Sequence, residues 1–326
     1  MQSQVVLGID LGGTKVLAAA VNEKGQVVAS GRKRTTGVST RAGLLQKILD
    51  AVAKTMAAGG IEPSEIAALG IGAPGPVDRA DGTVLEMPNI PVGRLPLRAE
   101  LQRHYPVPVV VDNDVNAGTF GEFWRGAGRG TRHMVGVFVG TGTGGGIIID
   151  GEILRGKTGI TGEIGHIVLD PDGPECGCGR RGCLEALASR TAMQRRVEAA
   201  LRDGRKSVLL DAAGGDLAGL RSKAFAKALS RGDALAEEVI RDCAIHLGYG
   251  AVALVHLLSP ECIVFGGGVM ESLAPVMIPV IEGVVRERCL KGTAKGIGIL
   301  PAKLGDHAGV LGAAALAMKE LGTLSA

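Results

Sequence analysis

One local pattern occurs twice in this chain: an apolar strand, a turn rich in glycine and threonine, and a second apolar strand. The copies read VVLGIDLGGTKVLAAAV at residues 5–21 and MVGVFVGTGTGGGIIID at residues 134–150. Apolar runs of this length, bounded by glycine, are typical of buried strands, so each copy predicts a β-hairpin. Two such hairpins in one chain predict a duplicated architecture, with related halves on either side of a cleft.

The segments around the two hairpins alternate between strand and helix patterns. Predicted strands are three within residues 5–34, then IAALGIG at 66–72, VPVVVD at 107–112 and IVFGGG at 263–268. Predicted helices are 41–58, most of 186–258, and an Ala-rich closing helix at 308–321. This order of elements predicts the α/β class.

The composition argues against several classes of partner. Aromatic residues make up only 2% of the 326 residues, too few for the stacking platforms that single-stranded nucleic acid requires. The formal net charge is +3 without a long basic run, so neither a nucleic-acid nor a membrane surface is predicted. The 52 glycines lie largely at the ends of strands, where the backbone can approach a ligand closely.

The N-terminal sequence MQSQVVLGID leads almost directly into a strand, so we expect no secretory signal. No stretch of about 18 continuous apolar residues occurs, so we expect no transmembrane helix. These features predict a cytoplasmic protein. Disulfides are rare in that compartment, so the six cysteines are expected to be thiols or metal ligands.

The glycine turns come close to two nucleotide-binding motifs, but their context differs. The first turn has the glycine spacing of a Walker A loop, yet it reads GTK, and a strand follows where that motif requires a helix. Gly140, Gly142 and Gly145 match the dinucleotide fingerprint, but the strand IIID follows them. Without a helix N-terminus to receive the pyrophosphate, a Rossmann site is not predicted.

Two hairpin turns with backbone N–H groups directed outward can hold a polyphosphate between them. The hydroxyls of Thr14, Thr141 and Thr143 add donors to these turns. Asp10 ends its strand at the first turn, where a carboxylate would repel phosphate unless a cation intervened. We therefore expect a magnesium-nucleotide, with Asp10 holding Mg²⁺ directly or through water. The alternative is a pair of ordinary tight hairpins.

The segment GHIVLDPDGPECGCGRRGCLE, residues 165–185, places one histidine close to three cysteines. Together His166, Cys176, Cys178 and Cys183 form a Cys₃His set, which is typical of closed, structural zinc sites. No ligand position is left for water, so zinc is expected to act as scaffold and not as catalyst. A disulfide or redox pair and unliganded packing cysteines are the alternatives.

Three polar residues in a row, Asp112, Asn113 and Asp114, end the apolar strand in VVVDNDVNAG. An Asp or Asn at the junction between a strand and a helix is usually an N-cap. Three polar residues exceed what one cap needs, so a second role at this junction is expected.

These motifs together resemble the ROK family (repressors, open reading frames, kinases), and within it the bacterial glucokinases. The motifs that carry the resemblance are GIDLGGTK, GAPGPVD, PNI, DNDVNA, GTGTGGG, GEIGH, CGCGRRGCLE, IVFGGGV and LGDHAGVLGAAAL. The resemblance implies the actin-like (ribonuclease H-like) duplicated two-lobe sugar kinase fold, with a cleft between the lobes. It places residues 1–115 plus 305–326, with the first hairpin and the closing helix, in a smaller lobe. Residues 116–304, with the second hairpin, the zinc loop and a third glycine turn, form the larger lobe.

The resemblance also implies roles for single residues. Asp114 is the catalytic base that accepts the proton of the attacking hydroxyl, and the N-cap role is its alternative. The implied sugar contacts are Asn89, Asn113, Asp114, Glu163, His166 and Glu185, with solvated carboxylates as the alternative for the two glutamates. His166 would bind zinc through one ring nitrogen and a sugar hydroxyl through the other. The implied ATP contacts are Asp10, Gly12, Gly13, Thr14, Lys15, Gly140, Thr141, Gly142, Thr143, Gly266, Gly267 and Gly268.

The implied activity is ATP-dependent phosphorylation of a hexose, with glucose to glucose 6-phosphate as the leading candidate. Many glucokinases of this type carry a Gly-Trp pair after the PNI-like loop, whereas this chain reads IPVGRLPL. The alternatives are therefore another hexose or N-acetylated amino sugar (fructose, allose or N-acetylmannosamine), and polyphosphate as the donor.

A sugar-responsive repressor or a non-catalytic sugar sensor is the rival outside the enzyme class. The first strand starts by Val5, so we expect no helix-turn-helix domain before it. The resemblance further implies a homodimer or homotetramer whose partners are a hexose and ATP.

Overall fold

The first part of the chain contributes seven strands to the computed structural model, which describes residues 4–88 and 90–324. They are β1 (Val5–Leu11), β2 (Lys15–Val21), β3 (Val27–Arg34), β4 (Ile66–Ala73), β5 (Val77–Asp78), β6 (Thr83–Val84) and β7 (Val109–Asn113). Five of them form one sheet in the order β3-β2-β1-β4-β7, while β5 and β6 pair in a small sheet. Within the larger sheet, β1 is antiparallel to β2 and parallel to β4.

Five later strands form the second large sheet. They are β8 (Met134–Val139), β9 (Thr143–Ile149), β10 (Glu152–Ile153), β11 (Cys262–Gly266) and β12 (Gly298–Pro301). Their order is β10-β9-β8-β11-β12, with β8 antiparallel to β9 and parallel to β11. The two sheets therefore share one topology, and the duplication predicted from the two hairpins is confirmed.

The helices of the described residues cover the predicted helical segments. They are α1 (Arg41–Gly59), α2 (Leu97–His104), α3 (Asp114–Arg125), α4 (Leu184–Leu187), α5 (Arg190–Arg202), α6 (Leu209–Ala212), α7 (Ser222–Leu229), α8 (Ala234–Leu258), α9 (Met270–Arg288) and α10 (Ala308–Glu320). Local signals set their ends: the Thr40 side chain caps α1, and Gly60, in the left-handed conformation, ends it.

Helices α3 and α10 lie between the two sheets and cross at close range. One hydrophobic cluster joins buried residues of both helices to buried residues of both sheets. A Cβ on Gly312 would lie only 1.7 Å from the carbonyl oxygen of Ala117, and one on Gly8 would lie 1.9 Å from that of Val310. Part of the glycine excess therefore serves the packing of α10 and not the approach of a ligand, contrary to the expectation from the sequence.

Buried side chains are mostly aliphatic, as the small share of aromatic residues predicts. Phe120, Phe225 and Phe265 are the largest side chains among those that are fully buried. Within residues 4–88 and 90–324, none of the helices combines the length and apolar character needed to cross a bilayer.

Candidate active site

The catalytic candidates lie where β7 ends and α3 begins. Asn113 is the N-cap of α3, because its Oδ1 accepts hydrogen bonds from the N–H groups of Val115 at 2.9 Å and Asn116 at 3.1 Å. The Nδ2 of Asn113 donates to the carbonyl oxygen of Gly75 at 3.2 Å. Asp114 is the first residue of the helix, and its Oδ1 lies 2.9 Å from the N–H nitrogen of Val115. The N-cap is thus Asn113 and not Asp114.

Asp114 and Asp10 line one cavity of about 240 Å³, here called the Asp114 cavity. Burial is the main reason that the pKa of Asp114 is raised to about 6, and the carboxylate of Glu163 acts in the same direction. Burial also raises the pKa of Asp10 to about 7; Asp114 adds to this rise, whereas Lys15 opposes it. Two carboxyls on one buried cavity repel each other when both are ionised, so the cavity favours a bound cation.

A second cavity of about 210 Å³ meets the first at Val115, which lines both. Its walls come from the Gly75–Pro76 turn, from Asn113 and Asn116 at the start of α3, from Gly144–Gly145 of β9, and from the segment Gly159–Glu163. The lining of this Glu163 cavity combines amide and carboxylate groups with apolar side chains such as those of Val115 and Ile160, and the cavity is large enough for one monosaccharide ring. Segments connected to both large sheets thus contribute walls to it.

The turn between β1 and β2 lies at the edge of the Asp114 cavity. Within this turn, the N–H of Gly12 donates to the carbonyl oxygen of Lys15 at 2.9 Å. The hydroxyl of Thr35 donates to the carbonyl oxygen of Gly12 at 2.9 Å. The Nζ of Lys15 lies 2.6 Å from Oδ1 of Asp306, which also lines the cavity. Lys15 therefore supplies a positive charge to the cavity that holds Asp10.

In the turn between β8 and β9, Thr143 faces the protein. Its N–H donates to Oε2 of Glu185 at 2.8 Å, and its hydroxyl donates to the carbonyl oxygen of Ala188 at 2.5 Å. The N–H of Gly140 donates across the turn to the carbonyl oxygen of Gly142 at 2.8 Å. Both donors of Thr143, which the sequence assigns to phosphate, are therefore occupied by protein acceptors that hold the turn in shape.

The third glycine turn follows β11 and opens onto an apolar groove of about 600 Å³. Gly267 has a φ of 87°, and a Cβ at this position would lie 2.6 Å from the carbonyl oxygen of Val139. Residues that line both the groove and the Asp114 cavity are Gly267, Glu271, Ala302 and Gly305. The groove and the cavity are thus continuous, with apolar walls at one end and carboxylates at the other.

The four predicted zinc ligands come together, with all four ligand atoms within 4.8 Å of one another. The sulfurs of Cys178 and Cys183 are 3.8 Å apart, and Nδ1 of His166 lies 3.8 Å from the sulfur of Cys176. A disulfide requires an S–S distance of about 2.05 Å. Tetrahedral zinc with Zn–S bonds of about 2.3 Å sets its sulfurs about 3.8 Å apart. The spacing fits a Cys₃His zinc site, and Cys176, Cys178 and Cys183 are free thiols in this structure.

The imidazole of His166 connects the cysteine cluster to the Glu163 cavity. Its Nδ1 faces the cysteines, while its Nε2 lies 3.9 Å from Oε2 of Glu163. Oε1 of Glu185 lies 3.8 Å from the sulfur of Cys176, so the carboxylate that holds the second glycine turn also contacts the cluster. Asn89, the remaining predicted sugar contact, lies outside the described residues.

Two arginines at the site carry no motif and were not singled out from the sequence. Arg155 binds the buried carboxylate of Asp112, with Nη2 at 2.8 Å and Nε at 3.2 Å from Oδ2. Arg190, the first residue of α5, donates from its guanidinium to the hydroxyl of Thr141 in the second glycine turn. Both contacts join residues that are far apart in the chain, so no local pattern could have found them.

Glu122 of α3 is a further charged residue without a sequence signal, and it is fully buried. Its carboxylate accepts hydrogen bonds from the N–H groups of Ala127 at 2.8 Å, Lys303 at 3.0 Å and Leu304 at 2.8 Å. The neighbouring residues Ala302 and Gly305 line the Asp114 cavity. Helix α3 therefore begins at the catalytic candidate and, near its other end, holds a loop of the same cavity.

Comparison with known proteins identifies relatives along nearly the whole chain. The model of the ROK family matches residues 6–320. A glucokinase of Thermotoga maritima is 34% identical, over 97% of this chain and 98% of that protein. A DNA-binding transcriptional dual regulator of Escherichia coli, NagC, is 33% identical over 86% of this chain and 68% of that protein.

Among solved structures, the chain is similar to a ROK family glucokinase from Streptomyces griseus in complex with glucose and AMPPNP. The TM-score is 0.80 at 35% identity, covering 97% of this chain and 99% of that one. Together with the two sheets of equal topology, this similarity confirms the predicted actin-like, two-lobe sugar kinase fold.

Proposed function

Because the chain belongs to the ROK family, we propose that this sugar kinase transfers the γ-phosphoryl group of Mg-ATP to a hexose, with glucose as the first candidate. The observation that carries the proposal is the position of Asp114. Asp114 lines the cavity whose carboxylates suit a magnesium-nucleotide, and its neighbours Asn113 and Val115 line the second cavity, whose size and amide and carboxylate groups suit a monosaccharide.

Asp114 would orient the attacking sugar hydroxyl and accept its proton. With a pKa of about 6, its carboxyl is largely ionised at neutral pH and can act as a base. The transition state of phosphoryl transfer is loose, so the proton can leave the hydroxyl late and a strong base is not required. The main work of the site is to hold donor and acceptor in line.

The donor would occupy the groove and the Asp114 cavity together. The apolar groove suits the adenosine, and the glycine turns at Gly12–Lys15 and Gly140–Gly142 suit the phosphates. Asp10 and Asp114 provide the carboxylate oxygens that Mg²⁺ prefers, and the raised pKa of Asp10 fits a carboxylate that gains from a bound cation. When bound, Mg²⁺ would neutralise charge on the phosphates.

The sugar would lie in the Glu163 cavity. The proposed contacts are Asn89, Asn113, Glu163, His166 and Glu185 in addition to Asp114. The Nε2 of His166 is turned towards Glu163 and away from the cysteines, which supports a ring that serves the zinc site with one nitrogen and the sugar with the other. The amide nitrogen of Asn113 already donates to Gly75, so its contact with sugar would use the second N–H.

His166, Cys176, Cys178 and Cys183 would hold one zinc ion, which would contribute folding free energy to the loop that carries Glu185. A closed Cys₃His set leaves no coordination position for substrate. This chemistry supports a structural zinc site that acts on catalysis only through the position of His166 and Glu185.

We further propose lobes of residues 1–115 plus 305–326 and of residues 116–304, a homodimer or homotetramer, and a cytoplasmic location. The proposed partners are the hexose and ATP, without nucleic acid or membrane. In this division all of α3 except its first two residues, Asp114 and Val115, belongs to the larger lobe, and the helix packs against α10 of the smaller one. Size-exclusion chromatography with light scattering would test the oligomeric state.

A second candidate is a non-catalytic sugar-sensing regulator, because a relative at 33% identity is a transcriptional regulator. A coupled assay separates the two candidates. The wild-type protein is tested with glucose, fructose, allose, mannose and N-acetylmannosamine, each with Mg-ATP and with polyphosphate, and Asp114→Asn is the control. If the wild-type protein turns over one of these sugars and Asp114→Asn does not, the kinase is supported. Calorimetric sugar binding without turnover on any donor would support the regulator.

A further inference from the structure

The carboxylate of Asp112 is buried and has partners on both oxygens. Its Oδ1 accepts hydrogen bonds from the N–H of Asn113 at 2.8 Å and from Nδ2 of Asn116 at 3.0 Å. Its Oδ2 accepts two hydrogen bonds from the guanidinium of Arg155 and lies 3.5 Å from Nε of Arg79. Asp112 is only 3% exposed. It therefore fixes the backbone immediately before Asp114 and is not free to take a proton from a substrate.

Arg155 reaches Asp112 from the other large sheet. It follows β10 and stands near the start of the segment 154–163, whose last five residues, Gly159–Glu163, form a wall of the Glu163 cavity. Arg155 itself is not among the residues that line this cavity. Its contact with Asp112 thus ties a wall supplied by the second sheet to the strand of the first sheet that leads to Asp114.

We propose that Arg155 is a positioning residue for the acceptor site. It anchors the segment 154–163 on Asp112, so that Glu163 on the wall and Asp114 at the start of α3 keep a fixed separation. The inference rests on the proposed sugar kinase function, since the position of this wall affects catalysis only if the Glu163 cavity holds the sugar.

The chemistry of the pair suits an anchor. A guanidinium that donates from two nitrogens to one carboxylate defines an orientation as well as a distance, which the single ammonium of a lysine does not. The side chains of Arg155 and Asp112 are 21% and 4% exposed, so the pair is poorly screened by solvent.

A single substitution cannot separate an anchor from a folding contact, because it leaves a largely buried charge without its main partner; without Arg155, Asp112 would keep only Arg79, at 3.5 Å, as a charged partner. The double variant Asp112→Asn/Arg155→Met removes both charges and so removes this destabilisation, yet it leaves the segment unanchored. Arg79→Met is the matched control. Arg79 approaches the same oxygen of Asp112 and also pairs with Glu320. It lies in the part of the chain that forms the first sheet, so it does not connect Asp112 to the segment 154–163.

The experiment measures KM for sugar and for ATP, the thermal midpoint, and amide hydrogen exchange in residues 154–163. For Arg155→Met we expect the sugar KM to rise about tenfold or more, the ATP KM to stay within about twofold, and the midpoint to fall by about 5 °C or more. The double variant should regain most of the midpoint but keep the raised sugar KM and faster exchange in 154–163. Arg155→Lys should fall between wild type and Arg155→Met.

Three results would overturn the inference: a double variant with normal sugar KM and normal exchange, an Arg155→Met variant with normal sugar KM, or an Arg79→Met variant with the same rise in KM. If the wild-type protein phosphorylates no sugar, the proposed function fails. Amide exchange in residues 154–163 then tests the anchor independently of activity. Unchanged exchange in the double variant refutes the anchor, whereas faster exchange together with a restored thermal midpoint supports it.

Discussion

Asn113 caps the helix that Asp114 begins. The side-chain oxygen of Asn113 accepts hydrogen bonds from the N–H groups of Val115 and Asn116, so the cap of α3 is the amide of Asn113 and not the carboxylate of Asp114. The neighbouring Asp112 is buried in its own network with Arg155. The three consecutive polar residues thus have separate tasks, and Asp114 is the one whose carboxyl faces a cavity.

Asp114→Asn is expected to fold, bind zinc and bind sugar within about tenfold of wild type, while turnover falls by about 10²–10⁴. Asparagine keeps the shape and hydrogen bonding of the side chain but cannot accept the proton. Steady-state rates and calorimetric sugar binding on the same preparation check this. Near-normal turnover would mean that Glu163 is the base instead of Asp114, since both oxygens of Asp112 already accept hydrogen bonds.

The rate of the enzyme should rise with pH through about 6 and then level off. A general base must be ionised, and burial raises the pKa of Asp114 to about 6. The rising limb should move to lower pH at saturating Mg-ATP, because a cation beside Asp10 and Asp114 stabilises their charged forms. Profiles of kcat/KM and kcat between about pH 5 and 9 test this. A rate that is flat below pH 6 would contradict the assignment of Asp114.

Removing the charge of Asp114 should stabilise the protein at neutral and alkaline pH. Its pKa is raised from 3.8 to about 6, so the folded state binds this proton more tightly than the unfolded state does. The neutral carboxyl therefore stabilises the folded state fully at pH values below the pKa of Asp114 in the unfolded chain. This stabilisation is lost as the pH rises through the pKa of Asp114 in the folded protein. Calorimetric midpoints without Mg²⁺ should favour Asp114→Asn at about pH 8, by a margin that shrinks towards about pH 5. A margin that grows on acidification would contradict a raised pKa.

We expect one zinc ion per chain in protein purified without chelator. Cys178→Ser should remove the zinc, lower the thermal midpoint and weaken sugar binding, because the cluster holds His166 and contacts Glu185. Cys289→Ser is the control, since Cys289 lies outside the cluster. Elemental analysis and calorimetry are the measurements. Zinc-free wild-type protein with full sugar affinity would rule out the proposed site.

Glu122→Gln is expected to raise the KM for Mg-ATP about tenfold and to leave the KM for sugar within about twofold. An amide can accept at one atom only, so the N–H of either Leu304 or Ala127 loses its partner, and the remaining hydrogen bonds lose the charge that strengthens them. The loop beside the Asp114 cavity would then be less well held. The exposed Glu198→Gln is the control, and equal effects on both KM values would contradict a role on the donor side.

The sequence alone determined the features that are encoded locally. The two hairpins, the order of strands and helices and the Cys₃His set each depend on residues close together in the chain, where periodicity, glycine turns and ligand spacing constrain the structure directly. The duplicated fold follows from the same patterns, because two equal hairpins build two sheets of equal topology.

Only the tertiary structure decided how the polar groups are paired. Arg155 binds Asp112, which lies 43 positions away in the sequence. The carboxylate of Glu185 accepts the N–H of Thr143 from 42 positions away, so this predicted phosphate donor instead stabilises its own turn. Glu122 holds a loop 181 residues away, and Gly8 and Gly312 serve helix packing. Such pairs depend on which surfaces the folded core brings together. Buried charges and N–H groups must find partners there, and no local pattern in the sequence names those partners.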